Sequence, residues 1–493
     1  MLVEMNQLTV QSAKNLVTIV IAFLIGAINT LILYPYFFGA EKQGLVVFLL
    51  STSNLLMPLI GLGISQTIIK FYSSYPENQK QGFLSFVVII PLIIIIPLSL
   101  LSIIFHDFIA SLISLKNPII YDYLWVVFLI AISTSYFEIF YSWARVNFKT
   151  VSGNVLKEIY PRMIILILLV LYGFKILNLD EFFEALVTLY YLRLFLMIVI
   201  ALKIKKPSFS LSVPQNIKNI IKYSLFLILA ASASTIIIDI DKSMLSQFLD
   251  IKQTAFYAVA VFTATLIEVP GRAMFQILNP MISKAINQGN FDKVKDLYKK
   301  SSLNLLIISG WFFLNVNLSA EYLLMLFEDK GYSTAISVIL MISIAKLFSM
   351  SSGASNVILI NSKYYHISLI LTIIMSIVVV IGNLIFIPII GINGAALTTL
   401  LTVVFFTIIR VIYVKKLFGV QPYNIKNITT CLIIIVVYIL FNNNFLGFNP
   451  LIKIIFNALM VTLTYLLLIR VLKISHVLNK IISLKLGSSQ KFK

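Results

Sequence analysis

Charged residues are scarce in this chain of 493 residues, where Asp, Glu, Lys and Arg together make up only 12%. Hydrophobic residues make up 60%, and the mean hydropathy is +0.99. An ordinary soluble domain carries about 25% charged and about 45–50% apolar residues. The shortage of charge excludes that class and indicates an integral membrane protein.

Cysteine, histidine and acidic residues are also few. Cys431 is the single cysteine, which excludes a disulfide within the chain, and its position at the start of CLIIIVVYIL predicts a buried structural thiol. Only three histidines are present, and no Walker loop, zinc motif or nucleophile elbow occurs. We therefore predict no cofactor and no metal site, and a transporter rather than an ATPase, a hydrolase or another enzyme.

Apolar runs of about 20 residues, the length that crosses a bilayer, recur along the whole chain. The first run is longer than the hydrophobic region of a signal peptide, so we expect it to remain as a span. We predict an all-α polytopic membrane protein with about 14 transmembrane helices, at residues 15–38, 44–69, 82–106, 119–143, 160–178, 182–202, 220–246, 254–278, 301–325, 333–361, 366–388, 392–414, 428–442 and 450–472.

The excess of basic residues has a topological explanation. Of the 38 Lys and Arg residues, 28 fall in one alternating set of loops and ends, six in the opposite loops and four inside spans. Because Lys and Arg accumulate on the cytoplasmic side, both termini are predicted to be cytoplasmic and nucleic acid is not an expected partner. The polar, basic residues 285–300 are expected to form an amphipathic helix on the anionic inner leaflet.

The chain contains a weak internal repeat. Four pairs of residues match at an offset of 210: Phe38 with Phe248, Lys42 with Lys252, Gln43 with Gln253 and Gly61 with Gly271. An even number of spans separates the two copies, which predicts two six-helix lobes in the same orientation. We assign residues 1–210 to the first lobe, 211–418 to the second, and 419–493 to two further helices and a cytoplasmic tail.

Eight charged residues are assigned to membrane depth. They are Arg193, Lys242, Arg272, Lys346, Glu138, Asp239, Asp241 and Glu268. Each would cost about 2.5–3.5 kcal/mol if it faced lipid at a helix centre, so these residues must face the interior, form pairs or line water. The four cations together are candidates for a cationic track through the membrane.

Helical spacing predicts two ion pairs. Asp239 and Lys242 are separated by three positions, and Glu268 and Arg272 by four, so each pair shares a helix face. Asp241 lies about 200° around the helix from Asp239 and has no partner at such a spacing.

Helical spacing gives less information about the partners of the other charged residues at membrane depth. Arg193 and Lys346 also lack a partner in their own helices. Glu138 lies near the inner boundary, with Arg145 about two turns away, and is predicted to be an interface residue. For every one of these charges, a purely structural ion pair is the alternative to a functional role.

Several stretches resemble the polysaccharide-export flippases of the multidrug/oligosaccharidyl-lipid/polysaccharide (MOP) superfamily. In DKSMLSQFLDIKQTAFYAVA, residues 241–260, the family pattern is matched at Asp241, Lys242, Leu245, Tyr257 and Ala260. PMISKAINQGNFDKVKDLYKKS is similar to the inner loop that follows span eight in the family, and IIGINGAALTT is similar to its turn before span twelve. The sequence departs from the pattern in carrying Ser246 and Asp250 where the family commonly has glycine.

The resemblance implies two lobes around a central cavity that opens alternately to each side of a bacterial inner membrane. The implied cargo is an undecaprenyl-pyrophosphate-linked oligosaccharide, made on the cytoplasmic leaflet for O-antigen, capsule or exopolysaccharide. Arg193, Arg272, Lys346 and Lys242 are then candidate substrate-binding cations. Asp239, Asp241, Glu268 and Glu138 are candidates for coupling to H⁺ or Na⁺, or for structural ion pairs.

Three other functions compete with this interpretation. Within the superfamily they are a drug or cation antiporter and a peptidoglycan lipid-precursor flippase. From a different class, a membrane polysaccharide polymerase is disfavoured because no long outer loop is available to carry catalytic groups. The expected partners are the lipid-linked substrate, membrane lipids and the polysaccharide polymerase machinery.

Overall fold

A computed structural model describes residues 2–204, 217–326, 331–442 and 449–474. Within these ranges every element of secondary structure is helical and no β-strand occurs, which confirms the predicted all-α class. The boundary proposed between residues 210 and 211 and the tail at residues 475–493 lie outside the described residues.

The described ranges contain α-helices separated by short turns. In chain order they are α1 (Leu2–Ile28), α2 (Gly39–Ile60), α3 (Ile64–Phe71), α4 (Glu77–Ile89), α5 (Leu92–Ile104), α6 (His106–Ser114), α7 (Ile119–Val146), α8 (Val151–Glu158), α9 (Tyr160–Gly173), α10 (Leu179–Ile204), α11 (Ile217–Phe248), α12 (Ile251–Thr265), α13 (Val269–Asn287), α14 (Phe291–Met325), α15 (Ile336–Ser351), α16 (Ser355–Ile360), α17 (Tyr365–Ile390), α18 (Ile392–Phe418), α19 (Ile425–Phe441) and α20 (Pro450–Val471). A π-helical stretch, Asn29–Phe38, joins α1 to α2.

Ten helical stretches of the described chain are long and apolar enough to cross a membrane, which makes this a multi-pass membrane protein. They are Val17–Ile60, Gln79–Ile104, Ile119–Val146, Leu179–Ile204, Ile251–Asn287, Phe291–Met325, Tyr332–Ser351, Tyr365–Ile390, Ile392–Phe418 and Pro450–Val471. A shorter apolar helix, Ile425–Phe441, coincides with the thirteenth predicted span.

The first of these stretches contains two of the predicted spans. At about 1.5 Å per residue its 44 residues would measure about 66 Å, roughly twice the thickness of the hydrocarbon core. Gly39 interrupts it with φ 70° and ψ 177°, outside the right-handed helical region. The interruption falls between the predicted spans at 15–38 and 44–69.

Two further predicted spans correspond to helices outside the set of ten. The fifth coincides with the 14-residue helix α9. The seventh coincides with the 32-residue helix α11. The total of fourteen spans stays a prediction.

Helix ends in the first part of the chain recur 205 or 210 residues later, which supports the internal repeat. The break between α2 and α3 separates Ile60 from Ile64, and the break between α12 and α13 separates Thr265 from Val269, each 205 residues later. Phe38 and Phe248 each end a helix, in agreement with the sequence match.

The two matched glycines, Gly61 and Gly271, lie at different places relative to the helix ends. Gly61 lies in the break after α2, whereas Gly271 lies inside α13. The register therefore shifts by about five residues between the start and the end of these helices. A match of single residues at a constant offset cannot detect such a shift.

The chain divides into two compact units. The first comprises the described residues of Met1–Val259 together with Thr372–Ala395. Its main apolar core lies between α2, α7, α9 and α10 and includes Phe48, Ile130, Leu168 and Leu186. The division into residues 1–210, 211–418 and 419–493 stays a prediction.

The second unit comprises the described residues of Ala260–Leu371 and Ala396–Lys493. One of its cores joins α14 to α19 and α20 through Leu314, Ile434 and Tyr465.

Two predictions from the sequence are corrected in this unit. Cys431 is exposed rather than buried, because it borders an apolar cavity and not the packed interior of this core. Residues 285–300 do not form a separate amphipathic helix, since they include the end of α13 and the first turns of the 35-residue helix α14.

Candidate functional site

The predicted ion pair between Asp239 and Lys242 is confirmed. Lys242 Nζ lies 2.6 Å from Asp239 Oδ1, and the two side chains are 17% and 10% exposed. The pair forms because a spacing of three residues brings both side chains to one face of α11. The second carboxylate oxygen of Asp239 accepts a hydrogen bond from Asn54 Nδ2 of α2 at 3.2 Å.

Asp241 obtains its partners from distant parts of the chain. Its buried carboxylate accepts a hydrogen bond from Tyr257 Oη of α12 and another, at 2.7 Å, from Asn383 Nδ2 of α17. Asn383 is fully buried, and its Oδ1 has no hydrogen-bond partner in the described structure. Asp and Glu side chains within transmembrane segments commonly belong to proton relays or ion pathways in transporters.

Glu268 pairs with Lys346, so its predicted pairing with Arg272 is wrong. Lys346 Nζ of α15 lies 2.8 Å from Glu268 Oε1, and the side chains are 24% and 22% exposed. The chain tightens into a 3₁₀ turn over Leu266–Glu268 before α13 begins, so the regular helical spacing does not extend from position 268 to 272. Lys346 was predicted to lack a partner in its own helix, and Glu268 lies outside that helix.

Arg272 is exposed near the start of α13. No acidic side chain of the described chain forms an ion pair with it. Of the four cations that the sequence places in spans, Arg272 is therefore the one whose guanidinium is both accessible and free of a carboxylate.

Arg193 is enclosed by aromatic rings of the first unit and is only 4% exposed. Its guanidinium carbon lies 4.4 Å from the ring centroid of Phe137 and 4.7 Å from that of Tyr190. Nη2 donates a hydrogen bond to Thr134 Oγ1 at 3.2 Å. Desolvated cation–π contacts of this kind contribute about 2 kcal/mol, so the packing of α7 against α10 stabilises this charge.

Glu138 forms an ion pair with Lys157 of α8, at 2.6 Å. The nearest cation by sequence reasoning, Arg145, instead lies over the ring of Tyr141, 5.7 Å from its centroid. Lys157 is remote from Glu138 along the sequence, and its approach depends on how α8 folds back against α7.

Asn117, which lies in the connection between α6 and α7, was not predicted from the sequence. Its Nδ2 donates hydrogen bonds to the carbonyl oxygens of Ser246, at 2.6 Å, and Leu249, at 2.9 Å. Its Oδ1 accepts a hydrogen bond from the backbone N–H of Ile251 at 2.8 Å. The only local signal is an Asn–Pro step at residues 117–118, which is typical of a turn.

An apolar cavity of about 410 Å³ lies within the second unit. Its lining includes Leu347, Phe348, Ile412, Tyr423 and Cys431, and none of the charged residues singled out from the sequence. Burial raises the pKa of the Tyr423 phenol. In the residues that the structure describes, no three His, Cys, Asp or Glu side chains are grouped closely enough to hold a metal ion.

Comparison with known proteins identifies the family. Residues 12–286, more than half of the chain, match the family model described as polysaccharide biosynthesis protein. No curated protein matches the sequence significantly.

Several solved structures have folds similar to that of this chain. The structure of the lipid II flippase MurJ in an inward closed conformation matches with a TM-score of 0.72 at 16% identity, covering 94% of this chain and 99% of that chain. A MATE transporter of Vibrio cholerae matches with a TM-score of 0.59 at 14% identity, over 83% of this chain and 96% of that one. A MOP superfamily transporter of Pyrococcus furiosus matches with a TM-score of 0.55 at 16% identity, over 84% and 95%. The chain therefore belongs to the polysaccharide biosynthesis protein family and has the fold of the MOP superfamily transporters.

Proposed function

We propose that this protein is a flippase for undecaprenyl-pyrophosphate-linked oligosaccharides. It moves them from the cytoplasmic to the outer leaflet of a bacterial inner membrane by alternating access, for O-antigen, capsule or exopolysaccharide assembly. The observation that carries this proposal is the match to a lipid flippase over nearly the full length of both chains, together with membership of a polysaccharide biosynthesis family.

The length of the structural matches favours a lipid flippase over a drug or cation antiporter. The Vibrio cholerae MATE transporter is matched almost completely, yet it covers only 83% of this chain. The uncovered share is similar in size to residues 419–493, the predicted extra pair of helices and tail. The proposal includes fourteen spans, two six-helix lobes and cytoplasmic termini, for which α9, α11, α19 and the break at Gly39 are the support.

Arg272 is our leading candidate for binding the pyrophosphate. Its exposed guanidinium offers planar, paired donors that suit phosphate oxygens. Lys242 and Lys346 are already paired with carboxylates, so an anionic cargo would compete with Asp239 and Glu268 for them.

Arg193 has a different role in the proposed function from that of Arg272. Because aromatic rings enclose its guanidinium, we assign it to placing a positive charge within the first unit, without direct contact with the cargo. The field of a desolvated cation acts over a longer range than that of an exposed one.

We assign coupling to Asp241, because no ATP-binding motif is present to drive transport. Its carboxylate, Tyr257 and Asn383 together form a buried polar group that can exchange a proton or Na⁺. Asp239, Glu268 and Glu138 each have a Lys partner, which favours structural ion pairs at these three positions.

A peptidoglycan lipid-precursor flippase is the second candidate function, because the structural match with a TM-score of 0.72 is to a lipid II flippase. Both cargoes would require a path for a charged, hydrated headgroup and contact with lipid for the tail. The two functions differ in the sugar that is carried and in the consequence of losing the protein.

Lipid analysis of a deletion or depletion strain separates these functions. We expect undecaprenyl-linked repeat units to accumulate and surface glycan to disappear while growth continues. Arrested cell-wall synthesis with accumulated peptidoglycan precursor would establish the second candidate instead. Unchanged glycolipids with increased drug sensitivity would replace both with an antiporter.

A variant of Arg272 tests the binding assignment. We expect Arg272→Gln to reduce surface glycan while the protein remains at its normal level in the membrane. Arg470→Gln, at the end of α20, is the control because Arg470 is also exposed but lies in the last turn of its helix. Equal effects of both variants would contradict the assignment.

A further inference from the structure

A second cavity of the second unit, of about 340 Å³, lies between α14, α15 and α19. It is found where α14 ends, at Met325, and where α15 begins, at Ile336. Its described lining consists of Asn317, Ala320, Ser333, Thr334, Ile336, Ser337, Leu340 and Tyr438. We call this cavity the α14–α15 pocket. None of these residues lines the apolar cavity of about 410 Å³.

The polar groups of the α14–α15 pocket are neutral. Its described lining carries an amide, aliphatic hydroxyls and a phenol, and none of these described residues is charged. An ion that entered such a site would lose hydration without meeting an opposite charge. The lining therefore does not suit a phosphate, a carboxylate or a metal cation. It suits an uncharged ligand with several hydroxyl groups, which can donate to and accept from amides and hydroxyls.

The pocket has a polar mouth and a less polar inner wall. Its exposed hydroxyl residues are Ser333, Thr334 and Ser337. Ala320 is buried, and Tyr438 is half-buried, with its ring centroid 6.1 Å from that of Phe313. Small-molecule sites combine apolar and aromatic walls with a few placed polar groups in this way. A sugar ring fits such a site, because it has hydroxyl groups at its edge and C–H groups on its faces.

Local hydrogen bonds hold the polar groups of the pocket in place. Both the backbone N–H and Oγ1 of Thr334 donate to the carbonyl oxygen of Gly331, at 3.4 Å and 2.9 Å. Asn317 Nδ2 donates to the Phe313 carbonyl of its own helix at 2.8 Å. These bonds exist without a ligand, so binding costs less conformational entropy than it would for free side chains.

We propose that the α14–α15 pocket binds a neutral sugar residue of the exported glycan on the outer side of the membrane. The distribution of Lys and Arg predicts that the connection from α14 to α15 is outer, where the saccharide emerges. Binding there holds the saccharide outside after transport. The inference rests on the proposed function for the source of the sugar. The pocket recognises the saccharide, whereas Arg272 is the candidate for the pyrophosphate.

A binding experiment tests the pocket with a saccharide that lacks pyrophosphate and lipid. The repeat-unit oligosaccharide released from the surface glycan is added to the purified full-length protein, and binding is measured by saturation-transfer NMR. We expect Asn317→Leu combined with Ser337→Ala to raise the Kd about tenfold, because two hydrogen-bonding groups are lost. Ser111→Ala is the control, since Ser111 is an exposed helical serine of α6. An unchanged Kd in the double variant would overturn the site.

A milder variant keeps this test valid if the double variant does not fold. Tyr438→Phe removes one hydroxyl and keeps the ring that packs against Phe313. We expect its Kd to rise about threefold while the unfolding temperature stays that of the unsubstituted protein. An excess of glycerol should not displace the oligosaccharide. Displacement by equimolar glycerol would indicate a site for a lipid headgroup or another polyol and would overturn the assignment to sugar.

Thiol labelling tests the side of the membrane and the position of the saccharide. Ser333→Cys, combined with Cys431→Ser, is treated with a membrane-impermeant maleimide in intact cells, and we expect it to react. Labelling only after the cells are permeabilised would overturn the outer placement. In the purified protein, oligosaccharide at about ten times its Kd should slow the reaction about tenfold. Ser111→Cys in the same background should react at an unchanged rate.

Failure of the pocket and failure of the proposed function give different results. If neither the repeat-unit oligosaccharide nor the disaccharide of peptidoglycan binds, the pocket is not a sugar site, even if deletion of the gene shows the protein to be a flippase. Binding of the peptidoglycan disaccharide alone, lost in the double variant, would support the sugar site and reject the proposed cargo.

Discussion

Asn383 donates a hydrogen bond to the carboxylate of Asp241 at 2.7 Å, across 142 positions of the sequence. The bond joins α17 to α11 inside the first compact unit, where Tyr257 of α12 also donates to the same carboxylate. Three helices therefore meet at one acidic side chain. Removal of its charge should affect transport more than folding, because the surrounding hydrogen bonds can be kept by an amide.

Asp241→Asn tests this directly. The substitution preserves size and polarity but removes the charge that would bind a proton or Na⁺, so we expect surface glycan export to fall at least about tenfold, equivalent to 1.4 kcal/mol. Immunoblotting should show normal protein in the membrane. Asp250→Asn is the control because Asp250 is exposed at the α11–α12 turn. Full export by the Asp241 variant would exclude Asp241 as the coupling residue.

The ion pair of Glu268 and Lys346 should stabilise the folded protein through the contact between the two charges. Glu268→Lys or Lys346→Glu alone places like charges together in a site that is about three-quarters buried, and we expect each to destabilise the protein by roughly 1–3 kcal/mol. The double variant should recover most of the loss. Thermal unfolding of detergent-solubilised protein measures both effects.

The exposed ion pair of Lys300 and Asp296 is the control for exchanging the charges of Glu268 and Lys346. Lys300→Ala breaks the contact with Asp296 in α14, where the side chains are 69% and 56% exposed. Its loss should change stability by only about 0.3–0.5 kcal/mol. If swapping Glu268 and Lys346 restores nothing, their contact is not the source of the stabilisation.

Arg193 should require a planar guanidinium. Arg193→Lys keeps the charge but loses the planar surface that lies over Phe137 and Tyr190, so we expect a loss of about 1–2 kcal/mol in the free energy of unfolding. Arg470→Lys at an exposed helix end should be neutral. A fully stable Arg193→Lys protein that fails to export glycan would instead indicate direct contact with the cargo.

Gly44 allows α2 to approach the start of α12. A Cβ added there would lie 2.0 Å from the carbonyl oxygen of Ile251, which is backbone and cannot rotate away. We therefore expect Gly44→Ala to displace the start of α12 and to lower the unfolding temperature of the detergent-solubilised protein. Gly289→Ala meets no atom within 4 Å and strains only its own turn at φ +67°, so it should lower that temperature less. Equal effects of the two variants would contradict a close approach at Gly44.

Local spacing predicted those parts of the candidate site that lie within one regular helix. Asp239 and Lys242 are three positions apart on α11, and helical geometry alone brings them together. The same reasoning failed for Glu268 and Arg272 because a 3₁₀ turn ends at Glu268, immediately before α13. A spacing rule assumes a uniform helix, and the hydrophobic pattern of span eight does not reveal where the helix tightens.

Composition and periodicity by themselves determined that this chain is an all-helical membrane protein, since the bilayer imposes the length and polarity of each span. They also determined which charges require a partner, because an unpaired charge in hydrocarbon is costly. Only the tertiary structure decided who the partners are: Asn383 for Asp241, Lys346 for Glu268, and the α11–α12 turn for Asn117. These contacts join residues that are far apart in sequence, and their formation depends on how whole helices pack, which no local spacing encodes.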